Sequence, residues 1–193
     1  MNEVTEQPIR GRGRPRDAAK DSAIRDAAWS VLARSGYEGL TFEAVAEMAG
    51  CSRSTLYRRF SSKAELVEAI VRETSLALEP EIGPAASPRD MLIGHSMGLR
   101  EYMSGPRGLA TIRLSASIAE NSDLREVMER QTNTDQEYYF SALRQAKPGA
   151  SEERIRFATF TLIGSIIFHV AMQRSVLSEA QIAQLVDGAL AML

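Results

Sequence analysis

Cysteine is almost absent from this chain, which has one, Cys51, among its 193 residues. A single cysteine excludes an intrachain disulfide and, with it, the small secreted scaffolds that depend on disulfides. No uninterrupted apolar run reaches the roughly 18 residues that a membrane-spanning helix needs. The N-terminal segment is polar and basic and lacks the apolar stretch of a secretory signal. We therefore expect a cytoplasmic protein.

Signals of catalysis and of metal binding are equally scarce. The two histidines, His95 and His169, lie far apart in the sequence and far from Cys51, so no metal-ligand spacing is present. The sequence contains no phosphate-binding glycine loop, nucleophile elbow or cysteine–histidine pair. An all-helical enzyme with His169 as a general base is therefore the least favoured hypothesis, and no metal or cofactor is expected.

Strand signals are also missing, because the sequence shows no sustained alternation of apolar and polar residues. Helical periodicity runs through most of the chain instead. Hydrophobic residues make up 44% of the sequence and charged residues 25%, which is the balance of a globular protein with a core. The sequence therefore predicts an all-α fold.

The formal net charge of -2 conceals an uneven distribution of charge. Residues 9–20 carry five bases and one acid, and residues 51–63 carry four bases and no acid. From residue 75 onward, 11 bases stand beside 14 acids. Two basic segments in an otherwise acidic chain indicate one surface that faces a polyanion.

Caps and glycines divide the first third of the chain into short helices. Asp17 and Thr41 are typical N-cap residues for the first and second helices. Gly36 and Gly50 are suited to end them, because glycine adopts the left-handed conformation readily. Ser52 is the predicted N-cap of a third helix with the sequence RSTLYRRF.

A fourth helix follows directly. The tetrapeptide Ser62 to Glu65 has the pattern of a capping box, in which the first and last side chains cap each other's backbone. Three prolines and a glycine between Glu79 and Pro88 then mark a boundary. Beyond it, apolar periodicity predicts helices over residues 89–104, 106–120, 123–146, 152–174 and 179–192.

Two short helices joined by a glycine-containing turn have the layout of a helix-turn-helix, whose second helix enters the major groove of DNA. The helix after Gly50 suits that role, because Leu56 and Phe60 can anchor it while its remaining residues are polar or basic. Thr41 and Lys63 open the flanking helices, whose free N–H groups point toward phosphates. An ordinary amphipathic helix with solvated charges is the alternative.

The segment TFEAVAEMAGCSRSTLYRRFSSKAELVEAI resembles the DNA-binding signature of the TetR (tetracycline repressor) family of bacterial transcription regulators, and the resemblance covers residues 17–75. It implies an all-helical homodimer with a divergent C-terminal domain for ligand binding and dimerisation. The residues that match the signature are Thr41, Ala46, Gly50, Ser52, Leu56, Tyr57, Phe60, Lys63 and Leu66.

The resemblance also implies roles for individual residues. Thr41, Tyr57 and Lys63 would contact phosphates, and residues 53–55 and 58 would approach bases. Cys51 stands where the family usually has a valine or another small apolar residue, so we interpret it as a buried small hydrophobe, with a thiol sensor as the alternative. The candidate DNA-contacting residues are Arg12, Arg14, Thr41, Ser52, Arg53, Ser54, Thr55, Tyr57, Arg58, Arg59 and Lys63.

Arg12-Gly13-Arg14-Pro15 precedes the first helix and has the composition of an arm that enters the minor groove. Arginines on an extended, proline-stiffened segment suit the narrow, electronegative groove of A·T-rich DNA. A disordered, solubilising tail is the alternative. The predicted organisation is a flexible basic arm over residues 1–16, a DNA-binding domain with a three-helix helix-turn-helix over 17–78, and a helical domain over 88–193.

An apolar stripe in the C-terminal domain has two possible uses: it forms the core of a lone domain, or it forms a dimer face. DNA reading favours the dimer, because paired half-sites about one helical turn apart give such folds their specificity. The predicted interface residues are Ile155, Leu162, Ile163, Ile166, Ile167, Val170, Ile182, Leu185, Val186 and Leu190.

A ligand site between residues 89 and 175 is implied by the family resemblance alone. Aromatic and methionine residues at helical spacing supply candidate lining, although the same residues also suit a plain core. The candidates are Tyr102, Met103, Tyr139, Phe160 and His169.

The leading hypothesis is a dimeric transcriptional repressor that a small-molecule ligand, of unknown identity, releases from a palindromic operator in double-stranded DNA. The alternative is a constitutive or architectural DNA-binding protein without an effector, whose arm supplies most of the affinity.

Overall fold

The computed structural model describes residues 18–77 and 86–193, with the side chains of residues 74–77 left aside. All the regular structure in these ranges is helical, which confirms the predicted all-α fold. The elements are α1 (Ala18–Gly39), α2 (Phe42–Met48), α3 (Arg53–Tyr57), α4 (Lys63–Ala77), α5 (Pro88–Ser104), α6 (Pro106–Ala116), a 3-10 turn (Ile118–Glu120), α7 (Ser122–Ala146), α8 (Glu152–Ala171) and α9 (Glu179–Ala191).

Two glycines shape the N-terminal helices as predicted. Gly36 has a φ of 64° and interrupts α1, after which one further turn leads to Leu40. Gly50 has a φ of 62° and follows the end of α2. Because a side chain at positive φ is strained, glycine is the residue that lets the chain reverse at both places. The predicted cap at Asp17 lies outside the described residues.

The predicted caps are confirmed for α2 and corrected for α3 and α4. The backbone N–H of Ala44 donates to the Thr41 hydroxyl at 3.1 Å. Ser52 stands at the N-cap of α3, but its hydroxyl makes no bond to a backbone N–H of that helix. Ahead of α4, Ser62 caps as predicted, whereas the Glu65 carboxylate accepts from the N–H and hydroxyl of Ser61. The reciprocal hydrogen bond of the predicted capping box is therefore made to Ser61 instead of Ser62.

Helix lengths differ from the prediction at two places. α3 is regular only from Arg53 to Tyr57, and the remainder of the predicted helix continues as a turn up to Phe60. α8 ends at Ala171 rather than at residue 174, and Arg174 beyond it has a positive φ of 51°. The other C-terminal helices match the predicted spans to within a few residues, except that 106–120 divides into α6 and the 3-10 turn.

One hydrophobic core joins the first four helices to α6 and α7. Ile24 and Leu32 of α1, Leu56 of α3 and Ile70 of α4 are all buried in it, together with Leu114 of α6. The predicted boundary between residues 78 and 88 lies largely outside the described residues. The apolar packing passes from one side of it to the other without a break.

A second core lies among α5, α7, α8 and α9. It contains about half of the residues predicted to form a dimer interface, and these side chains are at most 1% exposed. A side chain that is already covered by its own chain has no surface left for a partner, so the prediction is wrong for this subset. The residues are Ile155, Leu162, Ile166, Ile182 and Val186.

Candidate nucleic-acid interface and internal cavity

Burial of Leu56 decides which side of the α3 segment faces solvent. Leu56 is fully buried, and Phe60, four residues later, packs against the same core. The side chains of Arg53, Tyr57 and Arg58 are therefore on the exposed side of the segment. This side is polar and basic, as a surface that meets base edges and phosphates must be.

Tyr57 is held in place by an aromatic contact. Its ring meets that of Phe42 edge to face, with 4.9 Å between the ring centroids. Phe42 is buried at the start of α2, whereas Tyr57 remains 60% exposed. Packing on one edge leaves the phenol hydroxyl outward and restricts the ring, which suits a phosphate contact. The sequence analysis did not identify Phe42 as the support.

Arg53 is paired with an acidic residue of the neighbouring helix. Its Nη1 donates to Oε1 of Glu43 at 3.0 Å, and both side chains are more than half exposed. This hydrogen bond lowers the pKa of Glu43, so the carboxylate is charged at neutral pH. Exposed pairs of this kind contribute little to stability. Arg53 can therefore exchange Glu43 for a DNA group at low cost.

Arg59 lies away from the exposed side. Its Nε donates to Oδ1 of Asp21 at 2.8 Å, and its Nη2 lies 2.7 Å from the same oxygen. Both side chains are a quarter exposed or less. The guanidinium thus ties the end of the α3 segment to α1, and a DNA contact by Arg59 stays a prediction.

Lys63 opens α4 as predicted, but its ammonium is engaged. Nζ donates to the Tyr37 carbonyl at 2.9 Å and lies 3.9 Å from the centroid of the Tyr37 ring. Burial is the main reason that the pKa of Tyr37 is raised, so the ring is neutral. Lys63 therefore fixes α4 against the turn after Gly36. Its backbone N–H remains at the start of the helix, where anions are favoured.

The hydroxyl groups before and within α3 form a small network. The Ser52 oxygen lies 2.9 Å from the hydroxyl oxygens of both Ser54 and Thr55. Cys51, just before them, is half-buried and packs against the N-terminal core, in agreement with its interpretation as a small hydrophobe. The arm residues Arg12 and Arg14 lie outside the described residues, and their groove contact stays a prediction.

A cavity of about 270 Å³ has walls from α4, α5, α6, α7 and α8. Tyr102, Met103 and Tyr139 line it, so three of the five predicted ligand residues meet in one place. Phe160 and His169 do not line it. Phe160 is 45% exposed on the outer side of α8, and His169 stands at the end of that helix near Ser175. These two residues are therefore not brought together with the other three, and the ligand roles of all five stay predictions.

Several cavity residues were missed by sequence reasoning. His95 stacks on Tyr138, with 4.8 Å between ring centroids, and Gln131 Nε2 donates to Oδ1 of Asp135 at 2.9 Å. A signal for His95 was available, because residues 95, 99 and 102 recur at the spacing of one helix face and all three line the cavity. Asp135 offered no such signal, because a lone acid on a charged helix is usually solvated.

Polar groups in the cavity wall are incompletely satisfied. The Tyr102 and Thr111 hydroxyls are hydrogen-bonded to each other. The buried Tyr139 hydroxyl lies near Ser96, but neither group has a hydrogen bond of standard geometry within the described part of the chain. Burial raises the pKa of Tyr139, so the phenol keeps its proton as a donor.

The outward face of α8 is unusually apolar. Phe157, Phe160, Gly164 and Phe168 follow one another at spacings of three or four residues, and the three phenylalanines are 64%, 45% and 53% exposed. A Cβ at Gly164 would meet nothing within 4 Å, and the same is true of Gly188 on α9. We call Phe157, Phe160, Gly164 and Phe168 the α8 face.

Length and composition alone would also allow α8 to cross a membrane. Its opposite side, however, packs into the second core through Ile155, Leu162 and Ile166. Core helices of soluble proteins pass the same test. Within the described residues, no three histidine, cysteine or acidic side chains come together in a way that could hold a metal ion.

Comparison with known proteins gives matches along most of the chain. Residues 24–70 match the profile described as bacterial regulatory proteins, tetR family. Residues 98–191 match the profile described as a tetracyclin repressor-like C-terminal domain.

Curated relatives match about half of the chain. An HTH-type transcriptional regulator of Bacillus subtilis, YdeS, itself uncharacterized, is 30% identical over 97 residues, which are 50% of this chain and 48% of that protein. The DNA-binding transcriptional repressor TetR of Mycobacteroides abscessus is 33% identical over 84 residues, 44% of each chain. This chain thus spans about half the length of these relatives.

Solved structures match over nearly the whole fold. A candidate TetR-family transcriptional regulator from Rhodococcus sp. superposes with a TM-score of 0.73 at 23% identity, covering 91% of this chain and 98% of that one. A TetR-like regulator from Rhodococcus sp. RHA1 gives a TM-score of 0.64 at 21% identity, covering 92% and 97%. At these identities the likeness concerns the fold.

Proposed function

The chain belongs to the tetR family of bacterial regulatory proteins and is a DNA-binding transcriptional regulator, and from that premise we propose that it is a homodimeric repressor released from its operator by a small molecule. The family consists of regulators rather than enzymes, which agrees with the prediction of no catalytic activity. We further propose that it acts in the cytoplasm, where a DNA-binding regulator meets its operator.

The proposed DNA contact rests on one observation: Arg53, Tyr57 and Arg58 are exposed together, whereas Leu56 beside them is buried. In this reading Arg53 and Arg58 approach base edges, and the Tyr57 hydroxyl reaches a phosphate. Arg59 holds the segment on α1 through Asp21, so that the three exposed side chains keep a fixed orientation.

The α8 face supports the proposed dimer. Exposed phenylalanines in a contiguous row mark an interaction surface, because soluble chains rarely leave such a patch in water. Gly164 at its centre offers no side chain, so a second helix can approach closely. We therefore propose that two copies meet across a two-fold axis at this face, with the partly buried Ile163, Ile167, Val170, Leu185 and Leu190 at its margins.

The cavity supports the proposed ligand response, because its walls belong to helices that hold the DNA-binding segment. α4 contributes Val71 to the cavity and carries Lys63 at its other end. α6 contributes Thr111 and is tied to α1 by the pair between Arg107 and Asp26, at 3.1 Å. Arg113 of α6 also donates to backbone carbonyls near the end of α1.

A ligand that fits the cavity better when α4 and α6 are displaced would favour a state with a different spacing of the two α3 segments. The difference between the ligand's free energies of binding to the two states determines how far operator binding weakens. Operator binding would then weaken, which gives release of repression.

Selection of bound sequences from a random DNA pool tests the proposal. We expect a palindrome whose half-sites lie about 10 base pairs apart or a multiple of that spacing. The triple variant Arg53→Ala, Tyr57→Ala, Arg58→Ala should then lose most of its preference for this site, since each contact of this kind contributes about 1–3 kcal/mol. Arg154→Ala, at an exposed position of α8, is the matched control.

Equal binding of the selected site by the triple variant and the control would remove α3 from the DNA contact. An operator without two-fold symmetry would count against the dimer. Full occupancy of the cavity by a ligand with no loss of operator binding would favour the constitutive alternative.

A further inference from the structure

We propose that Glu43 is a specificity-determining residue of the DNA contact, whose carboxylate selects a cytosine by accepting a hydrogen bond from the cytosine amino group. This inference rests on the proposed DNA contact of α3. It follows from the place of Glu43 beside the first residue of α3, from the hydrogen bonds that its carboxylate still accepts, and from the donors that base edges offer.

The position of Glu43 gives the first argument. Nη1 of Arg53, the first residue of α3, donates to Oε1 of Glu43 at 3.0 Å. The N-terminal residues of a recognition helix are those that meet base edges in the major groove. A carboxylate in direct contact with such a residue therefore lies at the same groove when α3 enters it.

Consecutive residues of α2 hold two α3 side chains that face solvent. Phe42 packs against the ring of Tyr57, and Glu43 bonds Arg53, four residues earlier in α3. Residues four apart in a helix lie on one side of it. Phe42 is buried, whereas Glu43 is exposed. Glu43 thus shares the exposed surface of Arg53 and Tyr57.

This carboxylate contributes little to the fold. The N-terminal cap of α2 is the Thr41 hydroxyl, which accepts from the backbone N–H of Ala44. The pair between Glu43 and Arg53 is more than half exposed on both sides, and such pairs contribute little to stability. An acid on a basic surface also lowers the attraction to phosphates. What Glu43 offers in return is discrimination between bases.

The carboxylate keeps capacity for a further donor. Hydrogen bonds from Arg53 and from its own backbone N–H lower the pKa of Glu43, so the group is ionised at neutral pH. An ionised carboxylate only accepts hydrogen bonds, and it has about four lone-pair sites. These two bonds therefore leave sites open to a donor from the DNA.

The edges of the bases determine which donor fits. In the major groove cytosine presents an amino group, whereas guanine presents two acceptors and thymine an acceptor and a methyl group. The amino group of adenine lies between two acceptors, its own N7 and O4 of the paired thymine. A carboxylate that faces guanine or thymine loses water and gains no hydrogen bond, which is costly. Cytosine is therefore preferred, and guanine and thymine are rejected by this penalty.

The test starts from the operator that the full wild-type chain selects from a random DNA pool. Competition gel shifts then compare sites in which each half-site position carries each of the four bases. At one position we expect the wild type to prefer cytosine over thymine. In Glu43→Gln that ratio of affinities should fall about tenfold, the size of one base-pair mismatch, because the amide both donates and accepts. Its affinity for the operator should stay within about threefold of the wild type.

Glu47→Gln is the matched control, because it removes an exposed acid one turn later on the same helix. It changes the attraction to phosphates in the same direction and should leave the preference for cytosine unchanged. An equal rise in affinity for all sites in both variants would show that Glu43 acts through its charge alone and would overturn the proposal. Circular dichroism of each variant establishes that the fold is intact.

A second pair of variants separates direct reading by Glu43 from positioning of Arg53. Arg53→Ala should weaken binding to all sites and retain the preference for cytosine at the position that Glu43 reads. The double variant Arg53→Ala, Glu43→Gln should lose that preference. Loss of the preference in Arg53→Ala alone would mean that Glu43 acts only by orienting Arg53, which would overturn the direct contact.

The same experiment distinguishes this inference from the proposed function. An operator that requires Arg53, Tyr57 and Arg58, with the same base preferences in Glu43→Gln as in the wild type, would uphold the proposed function and overturn the role of Glu43. A wild type without any sequence preference would contradict the proposed repressor and the inference together.

Discussion

The molecule has two exposed surfaces of opposite chemistry. The first is the α3 segment, where Arg53, Tyr57 and Arg58 are exposed, and the second is the α8 face, which exposes three phenylalanines. The first surface is stable in water because charged and polar groups are well hydrated. Exposure of the second surface to water is unfavourable, and covering it lowers the free energy.

On each surface, exposed residues alternate with residues of the same helix that are buried in the core. Arg53 and Arg58 are exposed while Leu56 between them is buried, and Phe157 and Phe168 are exposed while Leu162 between them is buried. On α3 the polarity of the residues already separates inside from outside. On α8 both sides are apolar, and only the packing of the other helices separates them.

The largest expected effect comes from placing a charge on the α8 face. Gly164→Glu meets no atom of its own chain near the new Cβ, but in a two-fold dimer it would bring two carboxylates together in an apolar interface. We expect a monomer by light scattering. Operator affinity should fall about 1,000-fold or more, toward non-specific binding. Asn133→Glu, an exposed position of α7, is the control; an undiminished dimer in Gly164→Glu would place the interface elsewhere.

The next effect separates the two sides of α8. Leu162→Ala should lower the free energy of unfolding by about 2–5 kcal/mol through loss of buried contacts. Phe168→Ala should affect a lone chain little and instead weaken association, so that its melting temperature rises less with protein concentration than that of the wild type. Thermal unfolding at several concentrations measures both. A concentration-independent loss in Phe168→Ala would show that this ring stabilises its own chain.

The smallest effect concerns the DNA surface. Glu43→Gln removes the partner of Arg53 and an acid beside the DNA, so affinity should rise by about threefold at low salt, and the dependence of log affinity on log salt should steepen by up to about one unit. The hydrogen bond from Arg53 lowers the pKa of Glu43, so the wild-type carboxylate is charged at pH 7. At that pH the variant therefore differs from the wild type by one negative charge. Glu47→Gln, exposed one turn later on α2, is the control. Unchanged affinity would mean that Arg53 does not leave Glu43 on binding.

Local chemistry explains which features the sequence could predict. A cap such as Thr41 and a turn glycine such as Gly50 act on residues within four positions, so their signals are contained in short segments. The pair between Arg59 and Asp21 joins residues 38 positions apart and leaves no local trace. The sequence therefore cannot predict that Asp21 holds Arg59.

The sequence cannot predict which side of α8 is buried, for a different reason. Hydrophobicity distinguishes residues that avoid water from those that do not, but both Leu162 and Phe157 avoid it. Whether the covering atoms come from the same chain or from a partner depends on how α5, α7 and α9 pack. The cavity illustrates the same point, because Tyr139 faces it and Phe160 does not, although both lie on apolar helix faces.

The continuous packing between α1, α4, α6 and α7 also bears on protein engineering. A segment ending at residue 77, cut out and grafted onto another regulatory domain, would lose the part of its core that Leu114 and Leu124 supply. A working chimaera must therefore import α6 and the start of α7 or rebuild an equivalent apolar lid. The portable unit of DNA reading in this protein is larger than its sequence motif.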